Sequence, residues 1–288
     1  MKRTATFLVF ILVIAQMSPA WSREISVLFL GNSYTHLPGY GTMEDPALPR
    51  MIREIAKSID PELTINYDFN VPGGYSFERH YYNEQSKTLM LKPYDHVILQ
   101  GHSIESLELT PWWEATGNLG VKSFSKYLPK ILDIVFQNNS DVTMYVNWAW
   151  GLQHSMLADD HPGVRFPEDS EKADQTWFGG DKHEFQNQID QSYKFHTQNH
   201  PVKLSLVGRA WLELQEKGIV APEELYREDW SHATLIGGYI SALVLIKDAL
   251  GLDISKNTFV PSGMSPEKAR QIQEALADNA SEMTFFSK

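Results

Sequence analysis

The sequence predicts an α/β fold, a parallel sheet with helices on both faces. Three observations predict it. Short apolar runs of strand length alternate with longer segments of helical spacing along the chain. Several of those runs are continuously apolar, as strands buried on both faces are. Three successive runs end in polar or glycine-rich loops, and in a parallel sheet such loops share one edge, where ligands bind.

Residues 25–30 form the first strand, followed by Gly31-Asn32-Ser33 and a loop with Pro38, Gly39 and Gly41. Residues 46–59 carry Leu48, Met51, Ile52, Ile55 and Ile59 at helical spacing, and Pro61 ends that helix. Residues 63–69 alternate as a second strand, and the turn at 70–76 contains Gly73-Gly74. The pattern then predicts a helix over 77–91, a strand over 95–100 running into Gly101-His102-Ser103, a helix over 121–138 and a strand over 142–148. A polar stretch at 152–180 has little apolar period and reads as an insert. Residues 183–198 are helical, 202–207 form a fifth strand, and the helix over 209–217 stops at Gly218. A polar loop at 226–231 opens a helix from 232 or 233 to 250, ended by Gly251, and a last helix spans 266–279. Without repeats or a Pro/Ser linker, residues 23–288 read as one domain.

Residues 1–22 read as a secretory signal peptide: Lys2 and Arg3, an apolar run over 6–15, then Ser18-Pro19-Ala20, with cleavage after Ala20 or Ser22. An uncleaved anchor is the alternative, although the run is short for a span. The expected location is therefore secreted or periplasmic. The chain of 288 residues has no cysteine, which excludes disulfides, thiolate metal sites and a cysteine nucleophile. Its net charge of −11 argues against nucleic acid and anionic membrane surfaces as partners. His154, His161, His183, His196 and His200, with Asp159, Asp160 and Asp181, match no familiar zinc spacing, so no metal and no cofactor is expected.

The chemistry gathers in the loops. Ser33, at the end of the first strand, is a nucleophile if a base reaches it, and a helix cap if none does. Asp229-Trp230-Ser231-His232 supplies an imidazole with a carboxylate three residues before it, able to fix its tautomer; as helix caps they would do nothing chemical. Asn32 and the aromatic pair Trp148 and Trp150 are candidate substrate contacts, with Trp177 as a further member of a sugar platform. The two tryptophans read equally well as core. Arg79 and His80 either flank the site or face solvent.

These blocks together resemble the SGNH (GDSL-like) hydrolases, in particular a secreted bacterial branch of poorly defined substrate. The blocks are Leu30-Gly31-Asn32-Ser33-Tyr34-Thr35, Gly73-Gly74-Tyr75-Ser76 running to His80, Val97-Ile98-Leu99-Gln100-Gly101-His102-Ser103, Asn147-Trp148-Ala149-Trp150, and Asp229 to His232 with Gly237-Gly238-Tyr239. The resemblance implies a flavodoxin-like, three-layer α/β/α sandwich on a mainly parallel five-stranded sheet, and ester hydrolysis through an acyl-serine. It assigns Ser33 as nucleophile, His232 as base, Asp229 as its orienting carboxylate, and the backbone N–H groups of Ser33 and Gly74 as oxyanion donors. The third block departs from the family's Gly-x-Asn-Asp. His102 falls on the Asn position, with Gln100 as a second candidate donor. The expected substrate is an O-acyl ester, first an O-acetyl group on a carbohydrate. A lipid or thioester acyl group is the second reading, and a non-catalytic glycan-binding or scaffold protein is the third.

Overall fold

The computed structural model describes residues 23–109, 124–154 and 181–278. The expected leader over 1–22, Trp177, and residues 155–180 of the insert lie outside the described residues. Five strands, β1 (Arg23–Leu30), β2 (Leu63–Asn70), β3 (His96–Leu99), β4 (Val142–Val146) and β5 (Lys203–Leu206), form one sheet in the order β2-β1-β3-β4-β5. Every pairing is parallel. The registers align Leu30 with Asn70 and Leu99, Leu99 with Met144, and Val146 with Leu206. The carboxyl ends therefore share one edge, and the chain turns to opposite sides after β1 and after β2. This places the switch point of a doubly wound sheet between β1 and β3.

Alternation along β1 divides the core. Val27 and Phe29 face a cluster built with α2 (Ala47–Ile59), α7 (Val207–Glu216), α9 (Leu235–Leu250) and α10 (Pro266–Asp278). Leu28 and Leu30 face a second cluster with α4 (Glu84–Met90), α5 (Phe124–Val135) and α6 (Lys182–Thr197). Helices on both sides of one parallel sheet give the expected three-layer α/β/α arrangement.

Local chemistry moves several boundaries. The helix expected over 77–91 is two, α3 (Phe77–Tyr82) and α4. Asn83 is extended between them, and its side-chain oxygen accepts from Ser86 N at 2.9 Å and Asn70 Nδ2 at 3.0 Å, so an asparagine cap overrides the apolar period. Ser33 opens a one-turn helix, α1 (Ser33–His36), where a loop is expected. β5 passes directly into α7 at Val207, and α8 (Pro222–Leu225) lies in a stretch to which the sequence pattern assigns no element. The helix expected from residue 232 or 233 begins at Leu235. Thr234 Oγ1 caps it by accepting from Gly237 N at 3.2 Å, and an antiparallel bridge between Tyr226 and Ala233 holds the preceding residues outside the helix. No helix among the described residues is long and apolar enough to cross a membrane.

Candidate active site

Ser33 is the first residue of α1, and Asn32 caps that turn by accepting from Tyr34 N at 3.1 Å. Asn32 O takes the N–H groups of Thr35 and His36, and Leu37 N donates to Ser33 O. The Ser33 N–H has no hydrogen-bond partner among the described residues. Its hydroxyl does. Ser33 Oγ lies 2.8 Å from His232 Nε2, although the two residues are 199 apart in sequence.

His232 lies in a tight loop, not at a helix entry. Arg227 N donates to His232 O at 2.8 Å and Trp230 N to Arg227 O at 2.9 Å. Asp229 organises this loop from inside. Its Oδ1 accepts from Ser231 N at 2.9 Å and His232 N at 2.8 Å, and its Oδ2 lies 2.7 Å from His232 Nδ1. Burial pushes its carboxyl up, but the two backbone N–H groups and the imidazole together hold it below the ordinary carboxylate range. Asp229 is thus an anion that can only accept. His232 Nδ1 must carry the ring proton, which leaves the Nε2 lone pair for the Ser33 hydroxyl.

Gly74 lies on the loop after β2 with φ +69°, a conformation open mainly to glycine. Its carbonyl accepts from Arg79 Nη1 at 3.2 Å, and its N–H has no partner among the described residues. Arg79 is exposed and forms no ion pair among the described residues. After β3, His102 is half-buried, and its Nδ1 is sealed from solvent with no hydrogen-bond partner. Burial, reinforced by the charges of Arg79 and His232, lowers the His102 pKa to about 4. The ring is neutral at ordinary pH.

Four sequence candidates have other work. Gln100 is fully buried; its Oε1 accepts from Asn32 N at 3.0 Å and Thr35 Oγ1 at 3.1 Å, and its Nε2 donates to Gly101 O. It braces the Ser33 turn and, with no exposed surface, presents no N–H to a substrate. Asn32 is 2 % exposed, and its Nδ2 donates to Tyr75 O at 2.9 Å and Gly101 O at 3.2 Å. It ties three loops together and presents nothing to a substrate. Trp148 and Trp150 are 1 % and 5 % exposed. Trp148 is stacked between Tyr34, with centroids 4.4 Å apart, and Trp211, at 4.1 Å. They are the floor beneath the site, and no sugar can reach their faces.

Two further residues hold the loops from below: Glu105, to which the sequence reading gives no role, and His80, which does not face solvent but is fully buried. Buried Glu105 accepts from Phe77 N at 2.9 Å and His102 N at 2.8 Å, joining the end of the Gly74 loop to the loop after β3. His80 is buried, with Nε2 2.9 Å from Gly31 O and Nδ1 2.8 Å from Ser86 Oγ. The carbonyl only accepts, so His80 is protonated at Nε2. Burial lowers its pKa to about 4 against the opposing Gly31 bond. Among the described residues no three metal-binding side chains converge.

No family model matches the sequence, and no curated protein matches it. Solved structures do match. A DUF4886 family protein from Bacteroides uniformis superposes with a TM-score of 0.62 at 16% identity, over 88% of this chain and 94% of that one. A candidate SGNH hydrolase from Slackia heliotrinireducens gives 0.55 at 14% identity, over 78% and 99%. The chain has the SGNH hydrolase fold. A variant of an acetyl xylan esterase from Geobacillus stearothermophilus gives a TM-score of 0.55 at 12% identity, over 83% of this chain and 97% of that one. In a sheet of this SGNH type, the switch point between β1 and β3 coincides with the Ser33–His232 contact.

Proposed function

We propose that the chain is a serine ester hydrolase, secreted by its leader, that removes an acyl group, first an acetyl group on a carbohydrate, through an acyl-serine. The observation that carries this reading is the unbroken line Ser33 Oγ–His232 Nε2, 2.8 Å, and His232 Nδ1–Asp229 Oδ2, 2.7 Å. A cap or a packing contact would not need all three groups in proton-transfer order.

Ser33 Oγ attacks the ester carbonyl carbon while His232 Nε2 takes its proton, and the Asp229 carboxylate stabilises the imidazolium through Nδ1–H. The carbonyl oxygen becomes an oxyanion facing the N–H groups of Ser33 and Gly74. The His102 ring supplies a third donor. With its Nδ1 sealed and unbonded, the favoured neutral tautomer carries the proton on Nε2, since a buried N–H without an acceptor is the costlier alternative. The tetrahedral intermediate collapses, and His232 returns its proton to the leaving alkoxide. Water then attacks the acyl-serine with His232 again as base, releasing the acid and restoring Ser33.

The acetyl preference rests on the fold shared with an acetyl xylan esterase and on the leader. A panel of p-nitrophenyl esters of rising chain length and acetylated xylan tests it. Acetyl esters are cleaved fastest, acetate is released from the polymer, and Ser33→Ala does neither. Faster turnover of long-chain esters would favour a lipase-like substrate, and no turnover with any ester would favour a binding protein.

A further inference from the structure

The nucleophile and the base arrive from opposite ends of the chain, yet one pair of side chains joins their two segments directly. Tyr34, the residue after the nucleophile, has its hydroxyl 2.7 Å from the hydroxyl of Ser231, the residue before the base. We propose that Tyr34 is a positioning residue that sets the distance between Ser33 and His232 through Ser231. This inference rests on the esterase reading above.

Both partners are fixed on several sides, which makes the link a spacer and not a loose contact. Ser231 is held at three points: its N–H donates to Asp229 Oδ1 at 2.9 Å, its carbonyl accepts from Trp148 Nε1 at 2.8 Å, and its hydroxyl meets Tyr34. Tyr34 is 2 % exposed and stacks on Trp148, its oxygen accepts from Trp150 Nε1 at 2.8 Å, and its ring meets the His232 ring edge-on with centroids 5.5 Å apart. Trp148 and Trp150 are therefore the two donors that hold this clamp.

The loop being held is strained. Trp230, between Asp229 and Ser231, has φ +54°, a left-handed conformation that is strained for a bulky residue and persists only where its surroundings dictate it. Gly151 N donates to Trp230 O at 2.8 Å, and a Cβ on Gly151 would come within 2.5 Å of the Trp230 ring. The loop thus closes against the end of β4 on one side and against Tyr34 on the other. With the Tyr34 link removed, the strained loop can relax, and His232 moves relative to a serine whose own turn is braced separately by Gln100 and Asn32.

Tyr34→Phe keeps the ring on Trp148 and deletes only the hydroxyl. The expected result is a kcat lower by about tenfold to a hundredfold with KM changed less than about twofold, since misplacement affects the reacting geometry and not substrate capture. The acid limb of kcat/KM moves to lower pH, because a looser Asp229–His232 pair stabilises the imidazolium less. Ser231→Ala gives the same two effects and stands in should Tyr34→Phe fail to fold, and the double variant is no slower than the slower single one. Leu214→Ala, in the same core cluster but away from the pair, lowers stability while leaving kcat and the acid limb unchanged. Wild-type kcat and an unmoved acid limb in both Tyr34→Phe and Ser231→Ala would overturn the positioning role while the wild-type protein still hydrolyses esters. A wild-type protein without ester turnover would overturn the esterase reading, and the positioning role with it.

Discussion

Asp229 serves its loop and its histidine with different oxygens: Oδ2 lies 2.7 Å from His232 Nδ1, while Oδ1 accepts the N–H groups of Ser231 and His232. The division separates two kinds of substitution. Asp229→Asn keeps an oxygen for the backbone but turns an amide donor toward His232 Nδ1, so the imidazole loses its acceptor and its tautomer. Turnover should fall by about a thousandfold or more while the thermal midpoint changes little. Asp229→Ala removes both functions and should lose activity and stability together. Steady-state kinetics and a melting curve on the two variants check this, and near wild-type turnover in Asp229→Asn would reduce Asp229 to a loop cap.

On the proposed reading, the His102 imidazole completes the oxyanion hole. His102→Ala should lower kcat about a hundredfold with KM little changed, and His102→Asn, which offers a carboxamide donor in its place, should recover most of that loss. Because burial and the charges of Arg79 and His232 hold the ring neutral down to about pH 4, the acid limb of the wild-type profile above about pH 5 should be unaffected by His102→Asn. Equal rates for His102→Ala and the wild type would remove it from the hole.

Glu105 joins the two donor loops by accepting Phe77 N and His102 N. Glu105→Ala leaves the buried Phe77 N–H and the partly buried His102 N–H without that acceptor, at a cost of about 3 kcal/mol. It should lower kcat beyond the stability loss, because the Gly74 and His102 loops are then free to separate. Glu105→Gln, which keeps an acceptor, should retain more activity than Glu105→Ala. Denaturant midpoints read alongside kcat separate the two effects.

His80 makes stability depend on pH. Its pKa is near 6.5 in the unfolded chain and about 4 when buried. The unfolded state therefore binds more protons between these values, and stability falls as pH drops through that window. The loss at pH 5 relative to pH 7 is about 2 kcal/mol from this residue. His80→Gln should be less stable at pH 7, since the Gly31 carbonyl and Ser86 lose their partner, yet show a flatter midpoint between pH 7 and pH 5. An unchanged slope in urea titrations of the variant would contradict this.

The parts of the site that local patterns encode were legible in the sequence. Buried strands announce themselves as apolar runs, their carboxyl ends share an edge by geometry, and Asp229 three residues before His232 is a local spacing. Gln100, Asn32, Trp148 and Trp150 were not legible in the same way. Gln100 reads as a donor or as a strut with equal ease, because the group that decides, the Asn32 N–H, lies 68 residues away. An aromatic residue at a strand end carries no local mark of which way its ring packs, and Trp148 turned out to be sandwiched between two other rings. The break at Asn83 escaped the helical period because one capping side chain outweighed it. Glu105, Tyr34 and Ser231 were passed over for the same reason, since each acts on backbone or hydroxyl partners distant in sequence.

The most direct measurement is the intact mass of the protein after exposure to a fluorophosphonate, followed by peptide mapping. A nucleophile activated by His232 gives a single adduct, on Ser33, absent from Ser33→Ala and formed far more slowly in His232→Ala. An unmodified wild-type protein, or an adduct on another residue that survives Ser33→Ala, would contradict the serine-hydrolase chemistry.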